Sequence, residues 1–383
     1  MRRITIINQK GGVGKTTTAV NVGMALARLG QRVLLIDLDP QAHLTMHLGL
    51  DPADDTPGTY EMLTASATIA KVRRKVSDNL WVVGSSIDLA AAEIELVSVV
   101  GREVILRDAL DQHLGQDNKN HRQKYDYILI DCPPSLGVLT LNGLCAAHEV
   151  FIPLQPHYLA LQGLGKLVET VLLVTKRINP SLKVSGVMVC MHDTGTRLAA
   201  EVIEDVRSFF EKARGTNVPW ASAQLFETLI RRNIKLAEAP SHGKTIFDYA
   251  PDSNGAKDYE RLSLEIHDPI VFHERISEPN VPAKKDDKIE SEKSSNEVQT
   301  DNEIDSALAE PIKAEPAKVA ADKHLKSINK TKQHRDKKQT KAPAANKEPE
   351  ARPSTEPLTS TTPTPVPEST PKNVVEPPII QSV

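Results

Sequence analysis

Within ten consecutive positions, Asn8-Gln9-Lys10-Gly11-Gly12-Val13-Gly14-Lys15-Thr16-Thr17, the chain places three glycines, two lysines and two hydroxyls. Glycines let successive backbone N–H groups turn inward on an anion, and a helix starting there adds its dipole. Lys15 supplies a point charge, and Thr16 offers a hydroxyl to a hard cation such as Mg²⁺. The pattern G-x-x-x-x-G-K-[ST] is missed only at its first position, which is Gln9. The loop carries instead a second lysine, Lys10. Two further segments end in carboxylates: Arg32 to Asp37, followed by Asp39, Pro40 and Gln41, and Tyr127 to Asp131, followed by Cys132-Pro133-Pro134-Ser135. Beside bound phosphates, an acid at a strand end can hold a metal-bound water.

These groups need a scaffold that brings strand ends together. Ile4 to Ile7 is a short apolar run before the glycine loop, and Ala19 to Ala27 after it has the spacing of a helix buried on most sides. Gly30 is placed to end that helix. The continuous apolar character of 33–36 and 127–130 is that of strands buried on both faces, hence of a parallel sheet, where ligands bind at the C-terminal edge.

Further along, residues 56–70 read as turn plus helix, 80–83 as a strand, and 89–114 as helical, with Ala90, Ile94, Leu96, Val100, Ile105, Leu106 and Leu110 packing on the sheet. Strands at 148–156 and 183–191 alternate with helices at 159–177 and 197–213. A last core strand is expected at 225–230 and a closing helix at 255–266. This order predicts an α/β fold, a mainly parallel twisted sheet flanked by helices on both faces.

The chain has 383 residues, yet no Phe, Tyr or Trp follows Phe272, and more than half of its 26 prolines lie beyond that point. A Pro/Lys/Glu/Ser/Thr-rich segment of this kind cannot bury enough apolar surface to offset its conformational entropy. One folded domain over 1–272 and a disordered tail over 273–383 are therefore expected. The tail holds a basic block, Lys323 to Lys341, whose plain reading is a solvated linker and whose sharper one is attraction to polyphosphate. Net charge, −3, decides little. Cys132, Cys145 and Cys190 lack C-x-x-C spacing and read as core thiols, not a metal or cluster site. No apolar run reaches membrane-span length, and the first residues run straight into a strand, so a cytoplasmic protein without a signal peptide is expected.

Set side by side, Lys-Gly-Gly-Val-Gly-Lys-Thr-Thr at 10–17, Asp-Leu-Asp-Pro-Gln at 37–41, Tyr-Asp-Tyr-Ile-Leu-Ile-Asp-Cys-Pro-Pro-Ser-Leu at 125–136 and Leu-Ala-Glu-Ala-Pro-Ser-His-Gly-Lys-Thr-Ile at 236–246 resemble the ParA/Soj-type partitioning ATPases, P-loop proteins of the deviant Walker A class. The resemblance covers about residues 1–268 and implies ATP, Mg²⁺ and a nucleotide-sandwich homodimer. Lys10 would reach across that dimer to the partner's phosphates, adding positive charge where the transition state spreads negative charge. Gly11 would stay small because two loops approach there. Gly11, Gly12, Val13, Gly14, Lys15, Thr16 and Thr17 would bind nucleotide, with Lys15 on the β and γ phosphates. Thr16 and, through water, Asp131 would hold the metal. Asp39 would orient the attacking water, and Asn233 would meet the adenine.

The resemblance further implies slow ATP hydrolysis, non-specific DNA binding, a ParB-like activator and a nucleoid-associated location. Two motifs depart from the family pattern. Arg231-Arg232-Asn233 stands where Pro-Arg-Asn is usual, and Asp193-Thr194-Gly195-Thr196-Arg197 places its arginine two positions later than Asp-x-Arg-Thr. DNA contacts are accordingly expected from Arg197, Arg231, Arg232, Lys235 and Lys244. The segment 214–223 is longer than the family's usual connection. Alternatives in the same class are a positioning ATPase for another cargo and a MinD-like division-site regulator. The latter uses a basic amphipathic membrane helix, whereas the closing helix here is acidic, so no membrane partner is expected. A metabolic ligase, kinase or reductase on the same loop is the reading from a different class.

Overall fold

A computed structural model describes residues 1–115, 125–193 and 195–277. The tail beyond 277, with its basic block, lies outside the described residues. Eight strands form one sheet: β1 (Arg2–Ile6), β2 (Val33–Asp37), β3 (Arg73–Ser77), β4 (Leu80–Val83), β5 (Tyr127–Asp131), β6 (Glu149–Leu154), β7 (Lys183–Val189) and β8 (Gln224–Leu225). Their spatial order is β3-β4-β2-β5-β1-β6-β7-β8. All pairings are parallel except β3 with β4. The α/β reading of the sequence, a mainly parallel sheet flanked by helices on both faces, is borne out.

The apolar strands divide their residues between two faces, as the alternation of a pleated strand requires. Leu34, Ile36, Ile128, Ile130, Val150 and Ile152 enter one core, whereas Val33, Leu35, Tyr127, Leu129, Phe151 and Met188 enter the other. The first helix, Lys15–Arg28, packs in the second core and is buried without interruption from Thr18 to Ala27. It ends at Leu29 and Gly30, the glycine at φ 81°. The closing helix, Asn254–His267, lies against it.

Two expectations need correction, and one strand comes in addition. Residues 89–114 are not one helical run. Helix Leu89–Glu95 passes through a 3₁₀ turn into a loop turning at Gly101 (φ 75°), and a new helix, Ile105–Gly115, follows. Ala90, Ile94 and Val100, expected to pack on the sheet, are exposed, Ile94 at 77% and Val100 at 100%: the short helix turns Leu89 and Ala92 inward and leaves Ala90 and Ile94 on its outer side, and Val100 falls in the loop beyond the 3₁₀ turn. The last core strand shrinks to Gln224–Leu225, with only an isolated bridge from His192 to Arg231 beyond it. The antiparallel edge strand β3 was not anticipated, since its residues, Arg-Arg-Lys-Val-Ser, lack an apolar pattern.

The long connection 214–223 has a structural use. The Pro219 carbonyl accepts from Val184 N at 2.9 Å beside β7, and Trp220 packs on the core. The last described helix, Pro269–Ser277, runs past residue 272.

Candidate nucleotide site

The glycine loop leaves the C-terminal end of β1, between β5 and β6, and runs into the first helix. Gly12 and Gly14 adopt φ 72° and 97°, a region that L side chains rarely enter, so the loop's path depends on both. Val13 turns its side chain into the core at 1% exposure, leaving its backbone N–H as the group available to a ligand. Lys15 is 7% exposed at the start of the helix. Asn8 ties the loop to the neighbouring strand. Its Nδ2 donates to Pro153 O at 2.7 Å, and its Oδ1 accepts from Lys10 N at 3.0 Å. The Lys10 side chain is exposed, with Nζ 2.5 Å from His157 Nε2.

The two acidic strand ends converge beside this loop. Thr16 Oγ1 donates to Asp131 Oδ2 at 2.7 Å across 115 positions of sequence. Asp131 is fully buried, and its other oxygen, Oδ1, has no hydrogen-bond partner. Burial, then the nearby Asp37, hold the Asp131 carboxyl well above the ordinary carboxylate range. An orphaned buried carboxylate oxygen beside a threonine hydroxyl offers oxygen ligands that fit Mg²⁺, a hard cation that keeps several waters and shares phosphate oxygens. Among the described residues, no three His, Cys, Asp or Glu side chains gather as an all-protein metal cage.

Asp37 and Asp39 separate in role. Asp37 is 0% exposed and accepts from Thr45 Oγ1 at 2.7 Å, Thr45 N at 3.0 Å and Asp39 N at 3.1 Å. Burial outweighs these bonds and pushes its pKa up to about 6. It is an internal brace. Asp39, 8% exposed, faces the cavity instead, with Oδ1 accepting from Gln41 N at 2.9 Å.

Two cavities meet at the loop. One, of about 570 Å³, is lined by Gly11, Gly12, Gly14, Lys15, Thr16 and Thr17 with Asp39, and by His43, Met46 and His47 opposite. The other, of about 420 Å³, contains Asn233 with Ile230, Leu236 and Tyr259. They share Gly14, Thr17 and Met191. The first is lined by loop glycines, a lysine and hydroxyls, and the second is a mainly apolar slot. Asn233 Oδ1 caps the helix Ile234–Glu238 by accepting from Lys235 N at 2.8 Å, which leaves its Nδ2 to donate into the slot.

Sequence reasoning missed Met191, a non-glycine residue at φ 53° where the cavities join, and the tethers made by Asn8 and His157. Only Asn8, adjacent to the loop, carried any signal.

The five basic residues differ in what holds them. Arg231 turns onto Asp258, Nη2 to Oδ1 at 2.6 Å, and Lys235 pairs with Glu238 at 2.9 Å. Arg197, Arg232 and Lys244 are exposed and form no ion pair among the described residues. All three cysteines are buried and free, as expected of core thiols. Burial pushes the Cys132 and Cys190 thiols up to about 12. Among the described residues, no helix is long and apolar enough to cross a membrane.

A family profile described as "AAA domain" matches residues 1–184. The chain is 46% identical over 264 residues to the sporulation initiation inhibitor protein Soj of Bacillus subtilis, covering 69% of this chain and 97% of that one. It is 44% identical over 266 residues to the chromosome-partitioning ATPase Soj of Treponema pallidum, covering 69% and 96%. Among solved structures, a cobyrinic acid a,c-diamide synthase from Mycobacterium smegmatis, bound to an ATP analogue and magnesium, is 34% identical with a TM-score of 0.57, covering 70% of this chain and 94% of that one. MinD of Pyrococcus horikoshii with Mg-ADP shares the fold, at 22% identity and a TM-score of 0.52, covering 70% and 96%. With 44–46% identity across nearly the whole length of these two Soj proteins, the chain belongs to the ParA/Soj family of chromosome-partitioning ATPases.

Proposed function

We propose that the chain is an ATP-dependent dimerising switch that binds DNA non-specifically and is turned over by a ParB-like partner to segregate chromosome or plasmid DNA. ATP lies with its phosphates on residues 10–17 and its adenine in the slot of Asn233. Lys15 holds the β and γ phosphates. Thr16 and, through water, Asp131 would hold Mg²⁺, which would supply charge neutralisation at the phosphate oxygens. Asp39 accepts a hydrogen bond from the attacking water and aims it at the γ phosphorus.

The position of Lys10 carries the reading. It belongs to the phosphate loop, yet it is exposed and does not line its own cavity. Its charge is thus placed to complete a second copy's site when two nucleotide-loaded loops meet face to face. Gly11 fits the same reading: a Cβ there would touch nothing in its own chain, so any demand for smallness comes from outside. One protomer alone is slow because it lacks this trans charge, and DNA together with the partner protein accelerates the pair.

Arg197, Arg232 and Lys244 are the best-placed DNA contacts, since Arg231 and Lys235 already face carboxylates. The switch works in the cytoplasm, on the nucleoid.

The deciding experiment compares wild type with Lys10→Ala by light scattering under Mg-ATP, together with ATP turnover. The variant is expected to stay monomeric and lose stimulated turnover. Intact pairing and turnover would overturn the trans role. The name of the synthase neighbour raises a small-molecule ligase as a second reading. Turnover that requires a second small substrate and ignores DNA would favour it.

A further inference from the structure

The group that meets Lys10 in the single protomer is a histidine on a different element. His157 follows β6 and is half-buried. Its Nε2 is 2.5 Å from Lys10 Nζ, and its Nδ1 is 3.1 Å from the Leu159 N–H. Donors thus approach both ring nitrogens. A neutral imidazole has one lone pair and one N–H, so it accepts from only one of them at a time. With the ring proton on Nδ1, Nε2 accepts from the ammonium. With the proton on Nε2, the Leu159 contact forms and an N–H faces a cation. Burial, then the Lys10 charge, keep His157 below the ordinary histidine range, which favours the neutral ring that such acceptance requires.

The backbone under this contact is already fixed. Asn8 joins Lys10 N to the Pro153 carbonyl, so the strand whose exit carries His157 also anchors the loop that carries Lys10. The lysine can therefore reach another molecule without moving the loop, by rotating its side chain off the imidazole.

We infer that His157 is a positioning residue that parks the Lys10 ammonium in the unpaired protomer, so that each copy must release its lysine before two nucleotide-loaded copies clasp. This rests on the reading of Lys10 as a trans-acting charge. The contact is solvent-facing and competed by Leu159, which makes it a weak brake rather than a lock. It keeps the charge oriented beside its own loop until a partner's phosphates offer a stronger site.

Two measurements on the full-length chain test it. In long-range ¹H–¹⁵N NMR of the nucleotide-free protein, the His157 ring should carry its proton on Nδ1, and Lys10→Met should move that proton to Nε2. An unchanged tautomer in Lys10→Met means the contact does not form in solution and overturns the proposal. Under Mg-ATP, His157→Ala should lower the protein concentration for half-maximal pairing by about two- to twenty-fold, since each pair releases two exposed contacts. His157→Glu, which faces the ammonium with a full negative charge, should raise it. A pairing midpoint that stays put or rises in His157→Ala also overturns the proposal. Failure of the trans-lysine reading itself is recognised separately, as Lys10→Ala that still pairs and turns over, whereas the tautomer reports the Lys10–His157 contact in either case.

Discussion

Asp37 on β2 and Asp131 on β5 stand directly opposite one another in the parallel register, both at 0% exposure. Burial raises both pKa values, and at Asp131 the nearby Asp37 charge adds to the rise. The two acids meet this burial differently. Asp37 is satisfied internally by Thr45 and the Asp39 backbone, whereas Asp131 keeps one oxygen without a partner beside the phosphate loop. One acid braces the site and the other is left able to take a ligand.

Lys15→Ala should weaken ATP binding by about 10- to 100-fold, the loss expected when charge-assisted hydrogen bonds to phosphate are removed. Equilibrium titration with a fluorescent ATP analogue measures it. Wild-type affinity in this variant would show that the nucleotide sits elsewhere.

Asp39→Ala should lower single-turnover hydrolysis by about 100-fold or more, the scale of a lost proton acceptor, while ATP binding and pairing persist. The variant should accumulate on DNA as an ATP-bound pair in a pull-down. Normal hydrolysis would remove Asp39 from the role of orienting the water.

Binding to random-sequence DNA should fall steeply with salt, and Arg232→Ala and Lys244→Ala should each reduce the log–log salt slope by about 1. Fluorescence anisotropy over a salt series reads the slope. Arg231→Ala is less informative, because it strips the largely buried Asp258 carboxylate of its partner and so disturbs the base slot as well. A slope unchanged in both Arg232→Ala and Lys244→Ala would place the DNA face elsewhere.

His47 is 1% exposed, with Nε2 lacking a partner, and burial lowers its pKa to about 4. The unfolded chain takes up this proton near the ordinary histidine pKa of about 6.5, and the folded chain only near 4, so the unfolded state binds more protons between them. Stability is therefore fully present above about pH 6.5 and falls as pH drops toward 4, by about 3 kcal/mol from this residue. Denaturant melts of the nucleotide-free chain at stepped pH should show a shallower decline in His47→Gln. Equal declines in the two proteins would mean that His47 titrates normally in the fold.

The chemistry within residues 8–17 was legible because it is local. Glycines that tolerate positive φ, a lysine and a threonine at the start of a helix need only their neighbours to form an anion cradle. The strands could be read for a similar reason, since runs such as Val33–Asp37 and Tyr127–Asp131 are apolar throughout and suit only a sheet covered on both faces. The break at Gly101 and the two-residue β8 were not legible, because neither leaves a periodic signal.

Residue types alone thus determined which groups do chemistry and that they end strands. Which groups touch was decided by the tertiary structure: Thr16 with Asp131, Asp37 with Thr45, Lys10 with His157. The physical reason is that strand order and register are set by packing two cores against one sheet. Spacing along the chain does not encode that β5 lies between β2 and β1, and it is this order that brings a carboxylate from position 131 to the hydroxyl of position 16.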